Sequence, residues 1–271
     1  RIGTMSKFIA AMDHSGGSTG GVLERYGREY TEKNKMDRVH EMRLRMVNSP
    51  DFNDKNIWAA ILYKDTVDRG MVNLLREKGI ETFLKIDSGC KEDGTLKQFQ
   101  VHQMCRSAAQ TYGAPILGTK MRSIIKSVDM VDAVLKQQFV LARTIMEYEL
   151  LPIIEPEVPI DHPDKELIEQ ELYERLWDYL NTLSGKCVLK LTPPEVPNTY
   201  HNLIGHNNVR KIVFLSGGYS TVEACSRLSL NDNVSASFSR ALSESLKADQ
   251  TDDEFNLTML SNIKMITEAC K

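Results

Sequence analysis

Eight short apolar runs recur along this 271-residue chain, and segments with helical periodicity separate most of them. Near-continuous apolar runs are typical of parallel strands that are covered on both faces. Eight such strands alternating with helices predict an α/β fold, the (β/α)8 TIM barrel, and we expect a single domain over residues 1–271. The predicted strands are 7–13, 57–65, 81–87, 115–121, 150–158, 186–192, 210–218 and 234–240. The predicted helices are 36–48, 127–149, 164–183, 221–229 and 252–269.

An open, doubly wound sheet is the alternative fold for the same alternation of strands and helices. Glycine-rich fingerprints would favour that sheet, because they hold nucleotide phosphates at the start of a helix. No GxGxxG follows a predicted strand, and no GxxxxGK[ST] occurs in the sequence. We therefore prefer the closed barrel.

Composition argues against several kinds of partner. The formal net charge is −3 and the pI is about 6.1, which leaves no basic surface for nucleic acid. No apolar run approaches the roughly 18–20 residues of a membrane span. The five cysteines form no CxxC pair, and the six histidines show no metal-ligand spacing. We expect a cytoplasmic protein without a nucleic-acid or membrane partner, a cofactor or a bound metal.

Charged side chains collect at the C-terminal ends of the predicted strands, where (β/α)8 barrels carry their working residues. Lysine is otherwise rare in buried strands, because an unpaired buried ammonium is costly. The ionisable residues at these ends are Asp13, Lys85, Asp87, Lys120, Arg122, Glu155, Glu157, Lys190 and Arg240. We expect one polar pocket at this end of the barrel.

Lys120, Glu155 and Lys190 follow one another at intervals of 35 residues, about one strand, one helix and their loops. Three successive strand–helix units therefore carry a lysine, a glutamate and a lysine at equivalent positions. A buried lysine near another cation and a carboxylate is the arrangement that produces a Schiff-base nucleophile. We predict that Lys190 is this nucleophile and that Lys120 helps to lower its pKa.

Glu155 and Glu157 stand two positions apart on one strand, so both should point to the same side. Two carboxylates in one pocket repel each other, which favours a proton on one of them and suits a general acid and base. A simple ion pair with Lys120 or Lys190 is the alternative for either glutamate. Asp13, at the end of the first strand, is a candidate for the same pocket or for a helix cap.

Glycine-rich loops supply two candidate anion sites. The segment 214–220, FLSGGYS, offers backbone N–H groups from Ser216, Gly217 and Gly218. Barrels often bind phosphate after strands seven and eight, where Ser239 and Arg240 would add donors. The second candidate is 13–21, DHSGGSTGG, which also suits a flexible linker.

Six segments, taken in chain order, resemble the active-site segments of class I fructose-bisphosphate aldolases, especially the short bacterial and protist branch. They are KFIAAMDHSGGST, LGTKMRS, PIIEPEV, VLKLT, VFLSGGYS and ASFSRAL. The resemblance covers essentially the whole chain. It implies a metal-independent (β/α)8 lyase that reversibly cleaves fructose 1,6-bisphosphate into dihydroxyacetone phosphate and glyceraldehyde 3-phosphate in glycolysis and gluconeogenesis.

The resemblance also implies roles for single residues. Lys190 would form the Schiff base, and Glu155 would act as acid and base with help from Glu157. Lys120 and Asp13 would position and polarise the reacting hydroxyls. The residues implied for the phosphate beside the ketone are Ser216, Gly217, Ser239 and Arg240. Those implied for the distal phosphate are Ser15, Ser18 and Lys85, with Arg122 close by.

Two positions depart from relatives of this family. Ser88 stands where many relatives have a lysine, and His14 stands where vertebrate-type enzymes have an acidic residue. Other Schiff-base barrels, such as transaldolase and deoxyribose-phosphate aldolase, are the alternative enzymes, and they need one phosphate site only. A barrel retained as a scaffold is the non-enzymatic alternative. Assembly into a homo-oligomer is also possible for this family.

Overall fold

Eight parallel strands close into a barrel in the computed structural model, which describes residues 7–110 and 116–270. Each strand pairs with the next along the chain, and the last pairs with the first. This confirms the predicted (β/α)8 fold and all eight strands. The strands are β1 Phe8–Met12, β2 Ile57–Leu62, β3 Glu81–Lys85, β4 Gly118–Ile124, β5 Leu151–Glu157, β6 Cys187–Leu191, β7 Val209–Phe214 and β8 Ser235–Phe238.

Helices cover the outside of the barrel, and they include the five that the sequence predicts. The helices are α1 Ser18–Tyr26, α2 Lys35–Asn48, α3 Lys64–Asp68, α4 Met71–Glu77, α5 Val101–Gln110, α6 Val131–Met146, α7 Lys165–Leu180, α8 Thr221–Ser229, α9 Arg240–Ser243 and α10 Asp252–Ala269. Two 3-10 turns, Val128–Met130 and His201–Gly205, complete the elements. Within 7–110 and 116–270, no helix combines the length and the apolarity needed to cross a membrane.

The structure differs from the predicted elements in a few places. The glycine-rich segment 13–21 is not a loop throughout, because α1 begins at Ser18 and buries Leu23 and Tyr26. Burial of these side chains outweighs the weak helix propensity of the glycines. The fourth strand begins at Gly118 and continues to Ile124, and Pro115 of the predicted range lies outside the described residues.

Alternate strand residues form two separate cores. One set fills the barrel interior, and the other packs between strands and helices. The interior residues are Ile9, Ala11, Ala59, Ile61, Phe83, Ile153, Val188 and Val213. Side chains repeat every second residue along a strand, so Lys85, Glu155 and Lys190 stand two positions beyond Phe83, Ile153 and Val188 on the same side. The apolar interior thus forms the floor of the polar pocket.

Gly118 allows two strands to pair closely. A Cβ atom at this position would lie 1.7 Å from the carbonyl oxygen of Leu151 and 2.9 Å from the ring of Phe83. Both neighbours belong to the paired strands β5 and β3, so neither can move without disturbing the barrel. A side chain at residue 118 is therefore incompatible with the present strand spacing.

We expect Gly118→Ala to lower the free energy of unfolding by about 1–3 kcal/mol or more, because overpacking displaces the backbone. Gly205→Ala is the matched control, since no heavy atom lies within 4 Å of its added Cβ. Urea unfolding of both variants measures the difference. Equal stabilities of the two variants would contradict this account of Gly118.

Candidate active site

A cavity of about 430 Å³ opens at the C-terminal ends of the strands. It brings together every predicted site residue except Ser15, which lies beside it, with its hydroxyl 3.3 Å from Nζ of Lys85. The lining residues are Ala11, Asp13, His14, Ser18, Arg25, Lys85, Lys120, Arg122, Glu155, Glu157, Lys190, Leu215, Ser216, Gly217, Gly218, Ser237, Ser239 and Arg240. Charged and hydroxyl-bearing side chains therefore dominate the cavity.

Lys120 joins two carboxylates from other strands. Its Nζ lies 2.7 Å from Oδ2 of Asp13 and 3.1 Å from Oε2 of Glu155, and all three side chains are buried. Asp13 follows β1, Lys120 belongs to β4 and Glu155 to β5, so the contacts connect distant parts of the barrel mouth. Oε2 of Glu155 thus faces the ammonium of Lys120, and its other oxygen, Oε1, is the one nearer to Lys190.

The charges of this group stabilise one another. Burial by itself would lower the pKa of Lys120, but the adjacent charges of Asp13 and Glu155 outweigh it and raise this pKa well above its usual value. Burial would likewise raise the pKa of Asp13, but Lys120 and Lys190 hold it well below the usual range. At neutral pH, Lys120 is therefore an ammonium and Asp13 a carboxylate.

Lys190 differs from Lys120 in the direction of its pKa shift. Its side chain is buried, and its Nζ lies 3.7 Å from Oε1 of Glu155. Burial lowers the pKa of Lys190, and the like charge of Lys120 lowers it further. The carboxylate of Glu155 raises this pKa, but it does not outweigh the two other effects. Lys190 is thus the amine of this cavity that lies closer to its neutral, nucleophilic form.

The two glutamates of β5 form ion pairs with different cationic side chains. Glu155 contacts the two lysines, whereas Glu157 accepts a hydrogen bond from Nε of Arg122. The repulsion that we predicted between the carboxylates is therefore balanced by these neighbours. Glu155 is the glutamate that lies beside Lys190.

The turns after β7 and β8 form one wall of the cavity. Gly217 and Gly218 have φ angles of 58° and 100°, a region that favours glycine. A Cβ on Gly217 would lie 2.9 Å from the side chain of Leu215, so a larger residue there would have to displace that side chain. Beside it, the buried hydroxyl of Ser237 has no hydrogen-bond partner among the described residues.

Cations are in excess around the cavity, although the chain as a whole is acidic. Six cationic and three carboxylate side chains line it. Arg25, Lys85 and Arg122 lie on α1, β3 and β4, and Arg240 begins α9 after β8. Among residues 7–110 and 116–270, no three His, Cys, Asp or Glu side chains converge so that they could hold a metal ion. The cavity is suited to an anionic ligand.

His14 and Arg43 were missed as site residues by the sequence reasoning. Nδ1 of His14 lies 3.1 Å from Oγ of Ser239, which joins the ends of β1 and β8. Arg43 is buried on α2 and donates to the carbonyl oxygen of His14 at 2.6 Å and to Oγ1 of Thr66 at 2.9 Å. A signal for Arg43 exists, because this arginine falls on the apolar face of its predicted helix. Ser237 and Arg25 were missed as well.

Comparisons with known proteins agree with this geometry. The family model described as Glycolytic, fructose-bisphosphate aldolase class-I, matches residues 1–182. A fructose-bisphosphate aldolase class 1 of Synechocystis sp. is 44% identical and aligns with 97% of this chain and 93% of its own length. The corresponding protein of Clostridium acetobutylicum is 43% identical, with 99% and 97% covered.

Solved structures show the same fold. The chain aligns with the fructose-bisphosphate aldolase of Plasmodium falciparum, solved with TRAP and a small-molecule inhibitor, at a TM-score of 0.77 and 19% identity, over 97% of this chain and 90% of that one. An archaeal fructose 1,6-bisphosphate aldolase gives a TM-score of 0.57 at 10% identity, with 99% and 97% covered.

These results define the protein as a lyase with a (β/α)8 barrel fold and a cavity that contains buried lysines. The chain belongs to the class I fructose-bisphosphate aldolase family. The resemblance inferred from the six sequence segments is confirmed.

The burial of His14 predicts a pH dependence of stability. Burial lowers the pKa of His14 from about 6.5 to about 4. The charge of Asp13 raises this pKa, whereas the charges of Arg43, Lys120 and Arg25 lower it. The unfolded chain then binds the proton more readily, so this residue reduces stability as the pH falls from about 6.5 to 4. The loss attributable to it should approach roughly 3 kcal/mol at the acid end.

We expect His14→Asn to flatten the decline in the free energy of unfolding over this pH range, because asparagine keeps polar atoms but does not titrate. Urea unfolding at a series of pH values measures this slope. His201→Asn, at an exposed position outside the cavity, should keep the slope of the unmodified chain. The same slope in all three proteins would show that His14 does not resist protonation.

Proposed function

We propose that this chain cleaves fructose 1,6-bisphosphate reversibly into dihydroxyacetone phosphate and glyceraldehyde 3-phosphate through a Schiff base on Lys190. The observation that carries this proposal is the buried Lys190, with a lowered pKa, 3.7 Å from Glu155 in a cation-rich cavity. Family membership supports the same chemistry. The domain would be the single barrel, acting without a metal or cofactor.

Proton transfer in this mechanism is assigned to Glu155. The neutral amine of Lys190 attacks the ketone carbon and forms a carbinolamine, which must gain a proton before water leaves. Glu155 lies beside this nitrogen and can donate that proton and later take one back, with Glu157 held nearby by Arg122. The resulting iminium withdraws electrons from the neighbouring carbon–carbon bond.

Lys120 and Asp13 would hold the hydroxyl groups of the sugar. Their 2.7 Å ion pair keeps both side chains ionised and fixed within the cavity, so a carbonyl oxygen or hydroxyl meets an ammonium donor and a carboxylate acceptor. Such fixed charges stabilise a developing charge without reorganising. When the bond breaks, the hydroxyl-bearing carbon passes its hydroxyl proton to a carboxylate of the cavity and leaves as the aldehyde product, and an enamine stays on Lys190. Protonation of this enamine regenerates an iminium, and its hydrolysis releases the second product.

Two phosphate sites are assigned to two groups of donors, one after β7 and β8 and one at the ends of β1, β3 and β4. The phosphate beside the ketone would contact Ser216, Gly217, Gly218, Ser239 and Arg240, and the unpartnered hydroxyl of Ser237 adds a further donor. The distal phosphate would lie near Ser15, Ser18, Lys85 and Arg122, where α1 begins and Arg25 also faces the cavity. Two separate groups of donors favour a bisphosphate over a monophosphate substrate.

A cytoplasmic location and a homo-oligomeric assembly remain predictions for this chain. Its acidic net charge and free cysteines support the first.

Borohydride reduction in the presence of fructose 1,6-bisphosphate should fix a covalent substrate-derived adduct on Lys190, because hydride reduces an iminium to a stable amine. Mass measurement of the peptide containing residue 190 detects it. Lys190→Met should lose both adduct and cleavage activity, and activity of the unmodified chain should survive EDTA. Lys211→Met is the matched control, since Lys211 is another buried barrel lysine with a pKa lowered to about 8 outside this cavity. An adduct that persists in Lys190→Met would overturn the assignment.

Lys120→Met should raise the pH at which Lys190 is half-maximally trapped by borohydride. The variant removes a like charge and leaves Asp13 and Glu155 to stabilise the Lys190 ammonium. Trapping measured across pH tests this. Lys85→Met removes another cavity lysine, and it should weaken substrate binding without moving the midpoint. An unmoved midpoint in Lys120→Met would restrict Lys120 to substrate positioning.

Replacing Ser15 and Ser18 together with alanine should reduce kcat/KM for fructose 1,6-bisphosphate by roughly 100-fold, because two hydrogen bonds to a charged phosphate are lost. Activity on fructose 1-phosphate should remain nearly unchanged, since that substrate lacks the distal phosphate. Arg240→Ala is the comparison variant and should impair both substrates. Equal losses on both substrates in the double serine variant would show that these serines do not contact the distal phosphate.

A further inference from the structure

Backbone pairing between β5 and β6 is short, although these strands carry the two residues that the proposed chemistry brings together. Glu155 lies on β5 and Lys190 on β6. The two strands pair only over 153–154 of β5 and 188–189 of β6. In contrast, β5 pairs with β4 along its whole length of 7 residues. The position of Glu155 relative to Lys190 is therefore not fixed by a continuous ladder of backbone hydrogen bonds.

Pro156 supplies a physical reason for this break. Successive residues of a strand direct their backbone groups alternately to one neighbouring strand and to the other. The carbonyl oxygen of Glu157 accepts a hydrogen bond from the N–H of Ile125 on the β4 side, so the backbone groups of Pro156 and Val158 face β6. Proline has no N–H group, so Pro156 cannot donate to β6.

Thr192 provides hydrogen bonds between the strand ends beyond this point. Its buried hydroxyl accepts a hydrogen bond from the N–H of Val158 at 2.9 Å and donates one to the carbonyl oxygen of Val158, also at 2.9 Å. These are the two backbone groups that Val158 directs towards β6. One side chain thus rejoins the strand ends two residues after Pro156.

Buried charged side chains of α7 hold the segment that follows Thr192. Nζ of Lys165 donates to the carbonyl oxygen of Pro193 at 2.6 Å and lies 3.1 Å from Oε2 of Glu169. Oε1 of Glu169 accepts a hydrogen bond from the N–H of Glu195 at 2.9 Å. Lys165 and Glu169 are 3% and 1% exposed, so little water competes for these bonds. The helix therefore holds the segment after β6 by two of its backbone groups.

We propose that Thr192 and Lys165 are positioning residues, which hold the ends of β5 and β6 together beyond the break. They thereby fix Glu155 beside Lys190 for proton transfer. Neither positioning residue belongs to the lining of the cavity, so both act through the strand ends rather than on the substrate. The proposal rests on the proposed function, because it concerns the step in which Glu155 protonates the carbinolamine. A displacement of about 1 Å in such a step can cost on the order of 100-fold in rate.

Thr192→Val should lower kcat for fructose 1,6-bisphosphate by roughly 10- to 100-fold and leave KM nearly unchanged. Valine keeps the shape of threonine without the hydroxyl, and the phosphate contacts remain. Thr192→Ser keeps the hydroxyl and should retain most of the activity. Thr267→Val is the matched control, since the hydroxyl of Thr267 bonds to the carbonyl oxygen of Ile263 within α10, and it should keep full kcat. Circular dichroism checks that each variant is folded.

Lys165→Met removes the second connection and should also lower kcat more than it raises KM. Lys78→Met is its control, because Lys78 likewise donates to backbone carbonyl oxygens, in segment 47–52 away from the cavity, and it should keep kcat. Loss of Lys165 leaves Glu169 buried without its cation and could prevent folding. In that case Thr192→Val decides the proposal.

A double-mutant cycle with Glu155→Gln separates positioning from a general loss of structure. The measured quantity is the rate at which borohydride and substrate form the adduct on Lys190. Glutamine cannot transfer the proton, so Glu155→Gln should slow this rate by at least about 100-fold. Adding Thr192→Val to Glu155→Gln should then cause little further loss, because the group being positioned no longer acts. Losses that multiply fully in the double variant would contradict the positioning role.

The unmodified chain and the single variants distinguish a failure of this inference from a failure of the proposed function. An unmodified chain that forms no adduct would overturn the proposed function and this inference with it. If the unmodified chain forms the adduct and Glu155→Gln is slow, but Thr192→Val is as fast as the unmodified chain, only this inference is wrong.

Discussion

The ion pairs of Lys120 with Asp13 and Glu155 set the electrostatics of the whole barrel mouth. Each partner alone would be a buried charge, and leaving one of them unpaired would cost several kcal/mol. Together they keep Lys120 charged, while Lys190 lies within range of that charge. Two buried lysines of one barrel thus acquire opposite pKa shifts, because one has two close carboxylates and the other shares a single carboxylate at longer distance. This difference raises the pKa of one buried lysine and lowers that of the other.

The apolar floor makes those interactions strong. The interior core below the cavity excludes water from the inner ends of the strands, and the lowered local dielectric strengthens each charge–charge contact. Gly118 contributes to this arrangement, since its missing side chain lets β4 approach Leu151 of β5, and the same strand then carries Lys120 two residues later. Close strand packing and the position of Lys120 are therefore linked.

Most of the candidate site could be predicted because the residues that line the cavity lie at the ends of strands, and the strands are recognisable as apolar runs. Lys190 and Lys120 stand out as ammonium groups in buried strands. His14, Arg43 and Ser237 could not be found in this way. Their importance lies in contacts between elements: His14 contacts Ser239, 225 residues later in the chain, and Arg43 reaches His14 from an outer helix. No local pattern encodes such pairs.

The sequence alone determined the eight-strand alternation, the family and the end of the barrel that carries the charges, because side-chain periodicity and strand order follow from local spacing. It did not determine that 18–26 is a helix, since burial of Leu23 and Tyr26 decides that segment. Only the tertiary structure assigned Lys120 to Asp13 and Glu155, and Glu157 to Arg122. These pairings depend on distances of a few ångströms across a closed barrel, and such distances depend on packing rather than on local sequence.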